Sequence, residues 1–315
     1  MQVSVIIPVY NAAEFVARAA ESALAQPETA EVLLIEDGSP DNSLEICLGL
    51  AEKYDKVKLL RHPGGQNRGA GASRNLGMQH ASCEYIAFLD ADDYYLPGRF
   101  SAPVEIFAKN PHCDGVYEAV EREDYNHDGV IRWEKAGKND QLLHTMKENI
   151  KPSDLPAALL NSGTFGSFHL NGFIFKRKLL EKSGLMNERL KLHQDTDFLM
   201  RIAIVSKLYP GRLNEPVARW RVHDHNRISA PRSQIKVYQD RMAYWMSLYR
   251  WSKSNANREI QREILNSIVN YTKSQKYCVK FPRRTFPTRL IWAARLLRLL
   301  FYPEVIVDLI KNRWK

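Results

Sequence analysis

The stretch Tyr85-Ile86-Ala87-Phe88-Leu89-Asp90-Ala91-Asp92-Asp93 joins an apolar run of strand length to three carboxylates. A short apolar run that ends in turn residues reads as a buried strand, and ligands of open α/β sheets sit beyond the carboxyl ends of strands. Carboxylates at that end suit a hard cation such as Mg2+ or Mn2+, which takes oxygen ligands and is often shared with a substrate's phosphates. The first expectation is a metal-diphosphate site at 90–92. The Asp-x-Asp spacing alone is weak, because Asp195-Thr196-Asp197 repeats it. Its place after a strand gives it weight.

Outward from this stretch, β-branched and helical runs alternate up to about residue 115: 3–9 then 12–25, 32–35 then 43–54, 57–60 then 70–81, 85–89 then 99–110. Such alternation implies an α/β fold, a mostly parallel sheet with helices on both faces. From 116 to 165 the pattern loosens into charged sequence, expected to be an insertion or loop on the acceptor side. Regularity returns at 168–175, with helices expected at 176–182 and 195–206 and a strand at 217–222. Residues 231–279 read as helical, and Phe281-Pro282-Arg283-Arg284-Thr285-Phe286-Pro287 breaks them from a last segment, 288–314.

The 315 residues, 44% hydrophobic and 26% charged, are those of a globular protein and exclude collagen-like or disordered classes. The opening Met1-Gln2-Val3-Ser4 lacks the basic and apolar regions of a secretory signal, so a cytosolic protein is expected. Four cysteines stand far apart without a C-x-x-C pair, which points to reduced thiols and away from zinc. The net charge is +9, and residues 271–315 carry eleven Lys or Arg against Glu304 and Asp308, 11 − 2 = +9, leaving 1–270 neutral.

Other strand ends carry candidate groups. Pro8-Val9-Tyr10-Asn11 places a ring and an amide where a base can stack, although Asn11 can equally cap the next helix. In Glu36-Asp37-Gly38-Ser39-Pro40-Asp41-Asn42-Ser43, Asp37 can accept the N3–H of uracil, while Asp41 and Ser43 suit helix caps. The glycine-rich run 64–75, containing Asn67, Arg68 and Arg74, lets backbone and guanidinium groups approach phosphate or sugar. It matches neither the Walker pattern nor the dinucleotide fingerprint.

These features together, V-I-I-P-V-Y-N, E-D-G-S-P-D-N-S, N-R-G-A-G-A-S-R-N, F-L-D-A-D-D, H-Q-D-T-D-F and Trp220-Arg221-Val222-His223, resemble the inverting family 2 glycosyltransferases of the GT-A fold over residues 3 to about 229. The resemblance implies a nucleotide-sugar transferase using a UDP-sugar donor held by Pro8, Tyr10, Asn11, Asp37, Asn67, Arg74, Asp90 and Ala91. Asp92 and His223 would hold Mn2+ or Mg2+ at the diphosphate, and Asp195 would be the catalytic base. Gln194 departs from the family's usual Glu, which removes a neighbouring charge. A catalytic domain at 1–230 is expected, its donor half at 1–115 and its acceptor half at 116–230, with a helical extension at 231–315. The resemblance further implies an acceptor that is a glycan or lipid-linked saccharide, in surface polysaccharide assembly. Two other readings are a nucleotide-sugar binder that has lost catalysis, and a basic nucleic-acid binder, for which no motif is present.

In the last segment Leu290, Leu296, Leu297, Leu300 and Phe301 share one helical face and Arg295 and Arg298 the other. Arginines interrupt every window long enough to span a bilayer. An amphipathic helix at 288–315, lying on an anionic membrane at the inner face of the plasma membrane, is one expectation. Packing on the catalytic domain or a dimer contact are the others.

Overall fold

The computed structural model describes residues 1–135, 142–226, 229–273 and 302–313. The chain divides into two compact units, Met1–Pro231 and Arg232–Lys315. In the first, strands β1 (Val3–Val9), β2 (Thr29–Glu36), β3 (Val57–Arg61) and β4 (Tyr85–Phe88) lie where the apolar runs predict, and helices α1 (Val16–Leu24), α2 (Ser43–Lys53), α3 (Ala70–His80) and, after the two-residue strand β5 (Tyr94–Tyr95), α4 (Ser101–Lys109) alternate with them. All four strands run parallel in the order β4-β1-β2-β3. Their carboxyl ends therefore share one edge.

β1 is buried on both faces, as a central parallel strand must be. Its alternate side chains separate cleanly: Val5, Ile7 and Val9 pack with Val16, Ala19 and Cys47 of α1 and α2. Ile6 faces the opposite layer, with Met78 of α3 and Phe198 of a later helix. Each aliphatic side chain so buried contributes about 1.5–3 kcal/mol of transfer free energy.

Residues 116–165 are more ordered than their polar sequence suggests. They form β6 (Gly115–Tyr117), β7 (Val120–Asp124), α5 (His127–Lys135), β8 (Leu143–His144), α6 (Leu155–Leu160) and α7 (Ser162–Phe165). The charges that blur the pattern are paired inside: Arg99 and Glu118 are both fully buried, with Nη1 and Oε2 2.6 Å apart. A buried ion pair looks like loop composition in a one-dimensional reading. Of the regular run at 168–175, the end forms a strand, β9 (Phe173–Lys176), preceded by the 3-10 turn Leu170–Gly172. β9 runs antiparallel between β4 and β6, so the sheet is mixed, in the order β10-β6-β9-β4-β1-β2-β3, with β10 at Leu208–Pro210. β11 (Ala218–Val222) belongs to a second sheet of order β5-β11-β7-β8. Between these strands lie α8 (Leu180–Ser183) and α9 (Gln194–Val205).

The second unit holds α10 (Gln234–Asn255), α11 (Arg258–Lys273) and a last helix at Pro303–Arg313. Ser233 caps α10 through Lys236 N–H at 3.2 Å. The last helix packs on α10 through Arg250–Glu304 at 2.8 Å and the Tyr249 hydroxyl on Asp308. The amphipathic stretch expected at 288–301 lies outside the described residues.

Candidate active site

The site is built where the parallel strands end. After β1 the chain turns sharply, with Asn11 at a φ of 51°, a left-handed conformation that asparagine tolerates better than most residues. The helix predicted from residue 12 starts only at Val16. The reason is long-range: Ala12 N–H donates to Ser43 Oγ and Ala13 N–H to Asp41 Oδ2, both at 2.9 Å. Asp41 and Ser43 thus serve the chain entering α1, and Asp41 Oδ1 also accepts the Ser43 N–H that opens α2, at 3.1 Å, while Asn42 makes no capping bond. Pro8 lies within β1, and the Tyr10 ring is 52% exposed at the edge.

Asp37 is buried, and its two oxygens accept from the backbone N–H groups of Arg68 at 2.7 Å and Gly69 at 2.8 Å. It ties the glycine-rich loop to the end of β2. Gly38 completes the junction: its φ is +69°, and a Cβ there would stand 2.6 Å from the Gly65 carbonyl oxygen. Any bond from Asp37 to a base must be additional to these two. Asn67 is exposed on the same loop. Arg74, buried on α3, reaches Asp90 by an ion pair.

The three carboxylates after β4 occupy different environments. The Asp90 and Asp92 side chains keep 27% and 30% of their surface exposed. Asp93 is fully buried, accepting from Arg221 N–H at 2.9 Å and from Asn171 Nδ2 at 2.6 Å. Burial first, then the charges of Asp92 and Asp90, push the Asp93 carboxyl well above the usual range. Ala91, between them, is buried. Asn171 also accepts from Asp90 N–H at 3.1 Å, so one amide braces two of the three aspartates. On Asp92, Oδ2 receives His223 Nε2 at 3.0 Å and Asn226 Nδ2 at 3.3 Å. The Arg221 guanidinium lies over Phe15, 4.8 Å from its ring centre, and Phe15 in turn packs on His223.

The donor set fits a small divalent ion. His223 Nε2 and Asp92 Oδ2 stand 3.0 Å apart as a hydrogen bond, with the proton on Nε2 because Nδ1 accepts His225 N–H at 3.3 Å; an ion held here would take the place of that proton. Among the described residues no group of three or more His, Cys, Asp or Glu forms a cage.

α9 begins at Gln194 after His193, which has a φ of 63°, and carries Asp195 in its first turn. Asp195 Oδ1 accepts from Thr196 N–H at 2.7 Å. Asp197, the other half of the repeated triplet, is fully buried and pairs with Arg201 at 2.8 Å, a structural role. Gln194 is buried, and no described group bonds its Oε1. Two histidines that the sequence reading passed over stand near Asp195. His144 bonds Ser167 Oγ at 2.9 Å, and its ring centre is 5.7 Å from that of His169. Burial lowers the His144 imidazole to about 4, helped by His169 and opposed by the Asp195 charge. His169 is lowered as well, chiefly by burial, while Asp90, Asp195 and Asp92 pull the other way. The only hint of these residues in the sequence was a pair of polar groups, His169 and Asn171, set in the apolar run 168–175.

Comparisons agree with this architecture. The profile described as "Glycosyl transferase family 2" matches residues 4–181, more than half the chain. An uncharacterized glycosyltransferase of Rickettsia prowazekii is 25% identical over 313 residues, covering 98% of this chain and 90% of that one. The minor teichoic acid biosynthesis protein GgaA of Bacillus subtilis is 27% identical over 217 residues, 65% of this chain and 44% of the relative. Among solved structures, S. aureus TarS 1–349 in complex with UDP-GlcNAc superposes with a TM-score of 0.61 at 17% identity, covering 87% of this chain and 81% of that one. The mannosyltransferase PcManGT from Pyrobaculum calidifontis, in complex with GDP-Man and Mn2+, gives 0.52 at 17% identity, covering 99% and 87%. A mixed sheet flanked by helices, with carboxylates at the ends of its parallel strands and this profile over its first 181 residues, makes the chain a GT-A glycosyltransferase belonging to glycosyl transferase family 2.

Proposed function

We propose that the protein transfers a sugar, with inversion, from a UDP-sugar to a hydroxyl of a glycan or lipid-linked acceptor, and that Mn2+ or Mg2+ is its cofactor. The observation that carries this reading is the meeting of Asp92 and His223, 3.0 Å apart, just beyond the end of β4, where Asp90 pairs with Arg74. The TarS complex supports a UDP-linked donor and the PcManGT complex a divalent ion. The name of the Bacillus relative supports surface polymer assembly.

In this reading Tyr10 lies against the base at the β1 edge, beside Pro8 and Asn11. Asp37 holds the loop carrying Asn67 in place while adding a bond to uracil. Arg74 orients Asp90 toward the ribose, next to Ala91. Asp92 and His223 hold the ion, which when bound supplies positive charge to the departing diphosphate. Asp195 takes the proton of the acceptor hydroxyl on an oxygen not bonded to Thr196, freeing that hydroxyl to attack the anomeric carbon. Residues 1–230 form the catalytic domain in this proposal. No described helix is long and apolar enough to cross a membrane. The reading keeps the enzyme in the cytoplasm, with 288–315 touching anionic lipid at the inner face of the plasma membrane.

The test is transfer itself. Purified protein with Mn2+, a panel of UDP-sugars and lipid-linked or oligosaccharide acceptors should release UDP, and proton NMR of the product should show an inverted anomeric centre. Asp92→Ala should lose at least 100-fold in rate. Equal rates in wild type and variant, or a product with retained configuration, refute the corresponding part.

A further inference from the structure

His169 is placed as a hydrogen-bond donor inside the site. Its Nδ1 accepts the backbone N–H of Asn171 at 3.2 Å, and an N–H can only donate, so Nδ1 must carry a lone pair. The ring proton of the neutral imidazole therefore sits on Nε2. No described group bonds that nitrogen. The ring plane is fixed by stacking on Trp220, with centroids 6.0 Å apart and planes 21° apart, and Trp220 is braced edge-on by Trp133. On another side stands His144. Asn171, whose N–H the ring accepts, in turn accepts from Asp90 N–H at 3.1 Å and donates to Asp93 at 2.6 Å, and Trp220 directly precedes Arg221, whose N–H donates to Asp93 at 2.9 Å. The imidazole is thus joined on both sides to the framework that holds the aspartates after β4, which in the reading above line the donor's pocket.

We propose that His169 is a donor-contacting residue of this site: its imidazole, oriented by Asn171 and Trp220, presents Nε2–H to a hydroxyl oxygen of the sugar being transferred. The inference rests on the reading given under the preceding heading. It assigns His169 to the sugar and not to the nucleotide. A lowered proton affinity keeps the ring in the singly protonated form that this contact requires. The Nδ1 bond forbids the alternative in which Nε2 accepts.

Titration calorimetry with Mn2+ present tests it. UDP and four nucleotide sugars (UDP-glucose, UDP-galactose, UDP-N-acetylglucosamine and UDP-N-acetylgalactosamine) are measured on wild type, and the tightest of the four becomes the probe. His169→Asn keeps an acceptor for the Asn171 N–H, since an Asn side chain reaches the N–H two residues on, and it loses the Nε2 donor. His169→Phe keeps the ring on Trp220 and loses both nitrogens. Each variant should bind the probe about 5–20-fold more weakly and UDP within about twofold of wild type. Unchanged affinity for the probe overturns the inference, as does equal weakening of UDP and probe, which would put the contact on the diphosphate. A wild type that binds none of these nucleotides removes the underlying reading and this one with it.

Discussion

Asp195 sits in the first turn of α9, and Thr196 N–H holds one of its oxygens. As a general base its side chain should be worth about 10²–10⁴-fold in rate. Asp195→Asn should therefore lower kcat by that factor and leave the affinity for UDP unchanged within about twofold, as read by steady-state kinetics and calorimetry. A kcat within tenfold of wild type would reduce Asp195 to a helix-end residue. Carboxylates of this kind were legible in the sequence because each ends a strand or opens a helix. His169 and Asn171 were not, because their meaning lies in what they touch. Asn171 braces Asp90 and Asp93 from 81 and 78 residues away, and no local pattern encodes that.

Among elements, α3 shows how closely the layer under the site is packed. A Cβ at Gly77 would stand 2.5 Å from Ile6 Cγ2 and 3.0 Å from Ile35 Cδ1. Helix propensity alone predicts that Gly77→Ala gains about 1 kcal/mol. Overpacking against β1 and β2 predicts a loss of about 1–3 kcal/mol instead, and urea unfolding gives the sign. The β6–β7 junction depends on Arg99, whose Nη1 meets Glu118 at 2.6 Å and whose Nε donates to the Asn171 carbonyl at 3.1 Å. Arg99→Met leaves a buried carboxylate without its main partner and should cost about 3–5 kcal/mol. Adding Glu118→Gln should recover part of that loss in the same unfolding measurement, whereas strict additivity would show that the pair is not coupled. The first four strands were readable because β-branched runs of period two or continuous apolar character have few other uses. β6 and β7 were hidden because Glu118, between them, and Arg122 are buried charges: Glu118 is paired with Arg99 from the preceding segment, and Arg122 with Asp124 in its own strand.

For the whole molecule, pH acts through groups that burial has shifted. His144 titrates near 4 when folded and near 6.5 when unfolded. Between those values the unfolded chain binds more protons, so stability from this group falls as pH drops from about 6.5 to about 4 and levels off below. Asp93 and Glu118, both raised by burial, oppose it above the ordinary carboxylate range, because their folded forms take up protons first as pH falls. The comparison with His144→Gln isolates the histidine: between pH 6.5 and 4.5 the wild-type Tm should fall more steeply than the variant's. Parallel profiles would show that His144 is not buried neutral. The sequence by itself determined the order of strands and helices in the first 115 residues and the gathering of acidic groups at strand ends, since hydrophobic period and turn chemistry are local properties. Only the tertiary structure decided which of those groups share a site. That choice depends on strand register, on an antiparallel strand inserted between β4 and β6, and on pairings of buried polar atoms across more than 70 residues, where the cost of an unmatched buried group selects the partner.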